Sequence, residues 1–175
     1  MEFPYFSKAK LLSLSTIVLL ADHLSKWATQ SYLPLMDGLF PYYPYGGINI
    51  FKDCLGISFA LNHTTNTGAA WGMFADFQKE ILIIRIICII GLLLYLRYAQ
   101  VERKHILPLI LVITGAIGNV LDVFIYGHVI DMFHFIFWGY HFPVFNVADS
   151  AICSGMLLLI INNFNTATHL NSHSS

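Results

Sequence analysis

The sequence predicts an all-α membrane protein: one integral membrane domain of four transmembrane helices, with a small outer β-like segment and an aromatic outer loop. Three observations carry this expectation. Of the 175 residues, 57% are hydrophobic and 11% charged, whereas a soluble domain carries roughly a quarter charged residues to cover its surface. Four apolar stretches, at about residues 11–29, 81–98, 106–125 and 147–161, are close to the ~20 residues that a helix needs to cross a bilayer. Two stretches between them, at about residues 31–79 and 126–145, break the helical pattern.

Each element has its own signal. Lys8 and Lys10 precede the first apolar run, which Asp22 and Lys26 interrupt. A cleavable signal peptide is the alternative there, but no small-x-small site follows cleanly, so the run reads as a retained helix. The segment 31–79 carries Pro34, Pro41, Pro44, the glycine pair Gly46-Gly47 and the alternating run Ile48-Asn49-Ile50-Phe51, a pattern of short strands and turns. The segment 126–145 is rich in Phe, Trp and Tyr, residues that favour the membrane–water interface. Phe133, Phe135, Phe137 and Trp138 suggest a lid there. The fourth run is short before Asn162 and Asn163.

Basic residues set the orientation. Lys8 and Lys10 lie before the first helix, and Arg97, Arg103 and Lys104 lie between the second and third. The positive-inside rule then puts both termini in the cytoplasm and the two non-helical segments outside. The formal net charge of -1 excludes a basic nucleic-acid surface. Cys54, Cys88 and Cys153 show no CxxC spacing, which supports neither a disulfide framework nor a zinc site.

Six of the ten acidic residues fall in loops or at helix edges; Asp22, Asp122, Asp131 and Asp149 fall within or against apolar runs. A charge at the centre of a bilayer costs ~2.5–3.5 kcal/mol on the insertion scale, so these four must face one another or water. With the first and third helices running outward and the fourth inward, Asp22, Lys26, Asn119, Asp122, Asn146 and Asp149 converge on the outer end, next to Asp131. Plainer readings exist for several of them. Asp22 and Lys26 are spaced as a helical ion pair. Asn146 and Asp149 have the spacing of an N-cap and its acidic N3 residue. Asn119 suits helix bonding, and Asn62 or Asn66 a turn. Asp122 opposes the helix dipole, with Lys26 as its expected partner. Asp131, flanked by Val129, Ile130, Met132 and Phe133, has no local structural role and is the foremost candidate for chemistry. His128, His134 and His141 are irregularly spaced and read as interfacial residues rather than metal ligands.

Two carboxylates that share a site share a proton. One can then activate water while the other protonates the leaving group. Asp131 and Asp149 flank the same outer segment and make such a pair, suited to peptide hydrolysis without metal or cofactor. Neither a HExxH zinc motif nor a GxSG nucleophile motif is present.

At these residues the sequence resembles the lipoprotein signal peptidase (signal peptidase II) family. Four blocks in order carry the likeness: Asp22-His23-Leu24-Ser25-Lys26; Asn66-Thr67-Gly68-Ala69-Ala70-Trp71; Gly115 to Asp122 with Gly127-His128-Val129-Ile130-Asp131; and Phe145-Asn146-Val147-Ala148-Asp149-Ser150. The resemblance implies a multi-pass enzyme of the bacterial inner membrane with four helices and an extracytoplasmic β-cradle. It implies an aspartic endopeptidase that removes the signal peptide of prolipoproteins just before a diacylglyceryl-bearing cysteine. Its partners would be that lipid-modified substrate and membrane lipids, with no cofactor or metal, and one chain supplying a complete site as a monomer. By motif match Asp131 and Asp149 are the catalytic dyad. Asp22, Lys26, Asn66, Gly68, Asn119, Asp122 and Asn146 match positions that shape or support the pocket. The family commonly has Arg directly after the aspartate of the third block, where this chain has Val123; Trp71 stands where Phe is frequent.

Two rivals come from other classes. An ion or proton pathway expects polar residues strung through the membrane depth, whereas here the cytoplasmic halves of the helices read as apolar except for Arg85. A catalytically dead assembly factor is expected to lack a dyad aspartate, and neither is missing.

Overall fold

The computed structural model describes residues 7–36, 38–67 and 77–172, with side chains described up to residue 164. Gly68 and Trp71 lie outside the described residues. The chain runs α1 (Lys8–Tyr32), β1 (Ile48–Cys54), β2 (Ile57–Asn66), α2 (Gln78–Tyr98), α3 (Arg103–Tyr126), β3 (Val129–Phe137), β4 (Tyr140–His141) and α4 (Val147–Ser172).

The helices begin and end for local reasons. The Ser7 hydroxyl accepts the Lys10 N–H at 3.3 Å and opens α1, an N-cap. Gly127, with φ of 81°, closes α3 and donates its N–H to Val123 O; a side chain there would be strained in the left-handed region. Gln78 Nε2 donates to the carbonyl of Gly127, which sets the start of α2 beside the end of α3.

Among the described residues, three helices are long and apolar enough to cross a membrane: α2, α3 and residues 147–164 of α4. The apolar character of α2 continues on its outside, where Ile83, Ile84, Ile87, Ile90 and Leu94 are exposed; a helix that is apolar all round suits lipid contact. Its inner side packs Leu82, Ile86, Ile89, Leu92 and Leu96 against Ile113, Ala116, Ile117 and Val120 of α3. The fourth helix, α1, is equally long but carries Lys8, Lys10, Asp22 and Lys26. On α3, Gly118 lets α1 come close: a Cβ at this position would lie 2.7 Å from Asp22 Oδ2 and 3.2 Å from the Ala148 Cβ.

The strands form one antiparallel sheet in the order β1-β2-β3-β4. The strand expected at Ile48-Asn49-Ile50-Phe51 is β1. The stretch 126–145, expected to be an aromatic loop, is instead mostly strand. From Val129 to Phe137 it pairs with β2, with Phe135 opposite Phe59 and Asp131 opposite Thr64. The interfacial aromatics concealed a period of two. Asp131, Phe133, Phe135 and Phe137 alternate onto one face, where Phe135 stacks on Phe59 with ring centroids 4.3 Å apart and on Phe137 at 5.8 Å.

Candidate active site

Four elements deliver the polar side chains to one place. After β4 the chain turns back along β3: Phe145 O accepts the N–H groups of Met132 and Phe133 at 3.1 and 2.8 Å. This brings Asn146 beside Asp131 and starts α4 there. Asn146 caps α4, because its Oδ1 accepts the Asp149 N–H at 2.8 Å. Asp149 Oδ2 in return accepts the Asn146 N–H at 3.3 Å. The reciprocal pair is a capping box, so the plain reading of this spacing is correct, and the same box fixes the position of the Asp149 carboxylate.

The cap also joins the two carboxylates. Asn146 Nδ2 donates to Asp131 Oδ1 at 2.6 Å, to Asn119 Oδ1 at 3.1 Å and to Ile130 O at 3.3 Å. Asn66 Nδ2, at the end of β2, donates to Asp131 Oδ2 at 3.3 Å. From α3, Asn119 Nδ2 donates to Asp149 Oδ1 at 2.8 Å. Each of the four carboxylate oxygens therefore accepts an N–H, and every one of these donors is a neutral amide. Asp131 is 2% exposed. Burial first, and then the charge of Asp149, push its carboxyl up to about 7, against the opposing pull of the Asn66 and Asn146 hydrogen bonds.

A second group of charges lies directly beneath. Lys26 is fully buried and its Nζ lies 2.7 Å from Asp22 Oδ2 and 2.7 Å from Asp122 Oδ2. It also donates to Asn119 Oδ1 at 3.1 Å. An ammonium has three donors, and these are three acceptors. The carboxylates are completed by backbone: Ala148 N–H donates to Asp22 Oδ1 at 2.8 Å and Ile130 N–H to Asp122 Oδ2 at 3.2 Å. Asp22 thereby satisfies a second orphan donor at the start of α4, and Asp122 holds the residue before Asp131. The Asp22–Lys26 pair has the expected helical spacing, and Lys26 is also the partner of Asp122.

Of the residues singled out in the sequence, Asp22, Lys26, Asn66, Asn119, Asp122, Asp131, Asn146 and Asp149 thus form one connected hydrogen-bonded group. His134 was misplaced as an interfacial residue. It is buried, with Nδ1 2.9 Å from the Asn62 carboxamide and Nε2 3.1 Å from His141 Nδ1. With the amide oxygen facing His134, Asn62 nitrogen reaches the carbonyls of Pro44 at 2.7 Å and Leu61 at 3.1 Å. Burial, with His141 adding to it, lowers the His134 imidazole to about 4. The signal was the alternation of β3, which puts Ile130, Met132 and His134 on the face away from Asp131.

Comparison with known proteins agrees over nearly the whole chain. A family model described as signal peptidase (SPase) II matches residues 14–165. The lipoprotein signal peptidase of Bacillus velezensis is 35% identical over 150 residues, covering 85% of this chain and 90% of that protein. The protein of the same name from Chlamydia felis is 36% identical over 159 residues, covering 88% and 90%. A solved structure of a bacterial membrane enzyme superposes with a TM-score of 0.76 at 26% identity, covering 97% of this chain and 95% of the other.

Proposed function

Because this chain belongs to the signal peptidase II family, proteases of the bacterial inner membrane that remove signal peptides from prolipoproteins, we propose that it does so as an aspartic endopeptidase with Asp131 and Asp149 as its dyad. The observation that carries this reading is the bridge of Asn146 between the Asp131 and Asp149 carboxylates, each oxygen of which accepts a hydrogen bond from a neutral amide.

The chemistry follows from the protons. Two such carboxylates cannot both ionise easily, so the pair holds one proton. Asp131 is the partner drawn protonated, since burial and Asp149 push it up to about 7. Asp149 sits in the first turn of α4, where the helix dipole favours its anion. Asp149 then takes a proton from water as the hydroxyl attacks the scissile carbonyl, and Asp131 supplies one to the leaving amine. Asn146 and Asn119 hold the two carboxylates, while Asp22, Lys26 and Asp122 hold the elements that carry them. Asn66 supports the pocket from β2, a role that the family resemblance also implies for Gly68.

In this reading α1 is the fourth span, its Asp22 and Lys26 turned inward, and both termini are cytoplasmic. The dyad stands near the outer surface, so water arrives from outside and the lipid-bearing substrate from the bilayer. The cut falls before the diacylglyceryl cysteine, and one chain acts alone. The test is cleavage of a diacylglyceryl-modified prolipoprotein by the purified protein in detergent. Wild type is expected to cleave it, and Asp131→Asn and Asp149→Asn, folded, are expected not to. An active Asp131→Asn enzyme would overturn the aspartic mechanism.

A further inference from the structure

The sequence suggested that Arg85 interrupts the cytoplasmic half of α2. The structure places it elsewhere. Arg85 is seven residues inside the start of α2, about 10 Å at 1.5 Å per residue. Asn119 is eight residues before Gly127 on α3, about 12 Å. The contact between Gln78 and the Gly127 carbonyl aligns the two starting points, so Arg85 and Asn119 lie at one depth, in the outer half. Arg85 also continues the inner side of α2: the spacing Arg85, Ile89, Leu92, Leu96 follows one helical stripe, and its last three members pack toward α3. Arg85 is partly buried and is the lone charged residue between Ile81 and Leu96.

A cation at this depth is costly unless anions face it. The carboxylates of Asp149 and, next, Asp131 are close enough for their charges to reach Arg85. Lys26 alone cannot balance this end of the bundle, since it already stands between Asp22 and Asp122. We propose that Arg85 is a positioning residue of the dyad: from α2, its guanidinium offsets the negative charge of the Asp131–Asn146–Asp149 group and sets the pH range over which the pair holds a single proton. This supplies the site with a cation that does not come from α3, where position 123 is valine. The inference rests on the proposed aspartic mechanism.

The test is the pH dependence of kcat and KM for prolipoprotein cleavage by wild type, Arg85→Leu and Arg85→Lys. The other charged groups facing the pair, Lys26 and Asp22 from α1 and Asp122 from α3, are left intact. Without the guanidinium, ionising the pair is harder, so both limbs of the Arg85→Leu profile are expected to move to higher pH, by about one unit. Arg85→Lys keeps the charge and is expected to keep the wild-type profile. Arg85→Leu removes a charge from an apolar helix, which favours insertion. Should it nevertheless fail to purify, Arg85→Gln carries the same expectation. Limbs that stay in place in the neutral variants, whatever the change in rate, would overturn the proposal and leave the aspartic mechanism standing. Retained cleavage by Asp131→Asn would instead remove the mechanism on which it rests.

Discussion

Two carboxylate pairs lie within one hydrogen-bonded group at the same end of this bundle, and their surroundings differ in one respect. Asp22 and Asp122 share an ammonium 2.7 Å from each, and backbone N–H groups complete their shells. Asp131 and Asp149 accept hydrogen bonds from the amide N–H groups of Asn66, Asn119 and Asn146. The first pair shares one cation in place and ties α1, α3, β3 and α4 together. The second is held as firmly by geometry but is left with its proton affinity raised at Asp131. The proposed division of these side chains between structure and chemistry follows the ammonium that touches Asp22 and Asp122.

The strongest way to break this comparison is to neutralise each pair in turn. Asp131→Asn and Asp149→Asn are expected to lower cleavage by on the order of 10³-fold or more. Their thermal midpoints should stay close to wild type, because each replacement keeps the size of the side chain and breaks no ion pair. The opposite pattern is expected at Lys26. Lys26→Met leaves two buried carboxylates without their ammonium, a loss of about 3–5 kcal/mol for breaking a buried ion pair. A thermal melt in detergent checks it. If Lys26→Met melts with wild type, the lower group is not what holds the helices.

Asn146 belongs to both functions at once, which makes it the sharper probe. Asn146→Ala removes the N-cap of α4, about 1 kcal/mol, and also the bridge between Asp131 and Asp149. Its activity should fall on the order of 10²-fold, the range for losing a positioned group in acid–base catalysis, while its melting point drops only slightly. An equal fall in rate and stability would make the residue a cap and nothing more.

Much of this site was legible in the sequence because polar residues in apolar runs are costly, and the cost forces them together. Asp22, Lys26, Asn119, Asp122, Asn146 and Asp149 could be assembled from helix directions alone. What stayed hidden was governed by period and depth. The Phe, Trp and Tyr residues of 126–145 signalled an interface and masked the alternation that makes Val129–Phe137 a strand. The same alternation buries His134, which an irregular histidine spacing could not reveal. Arg85 was assigned to the wrong half of α2 although it is only the fifth residue of the apolar run 81–98; the Gln78–Gly127 contact, which the sequence does not reveal, is what levels it with Asn119.

The mildest expected effect comes from titration rather than substitution. The folded Asp131 carboxyl stands at about 7, above its ordinary 3.8, so the native state binds this proton more tightly than the unfolded chain does. Its contribution therefore favours folding at low pH and is lost as pH rises from about 4 to about 7; above 7 the group is a constant burden. For cleavage the consequence has the same sign. Once pH exceeds about 7 the pair loses the proton that the leaving amine requires, and kcat should fall about tenfold per unit. Stability measured from pH 5 to 8 should decline less steeply in Asp131→Asn than in wild type, because its amide does not titrate. The two measurements separate the pairs again. A declining limb in kcat with an unchanged stability slope in Asp131→Asn would mean that the proton that matters lies on a group other than Asp131.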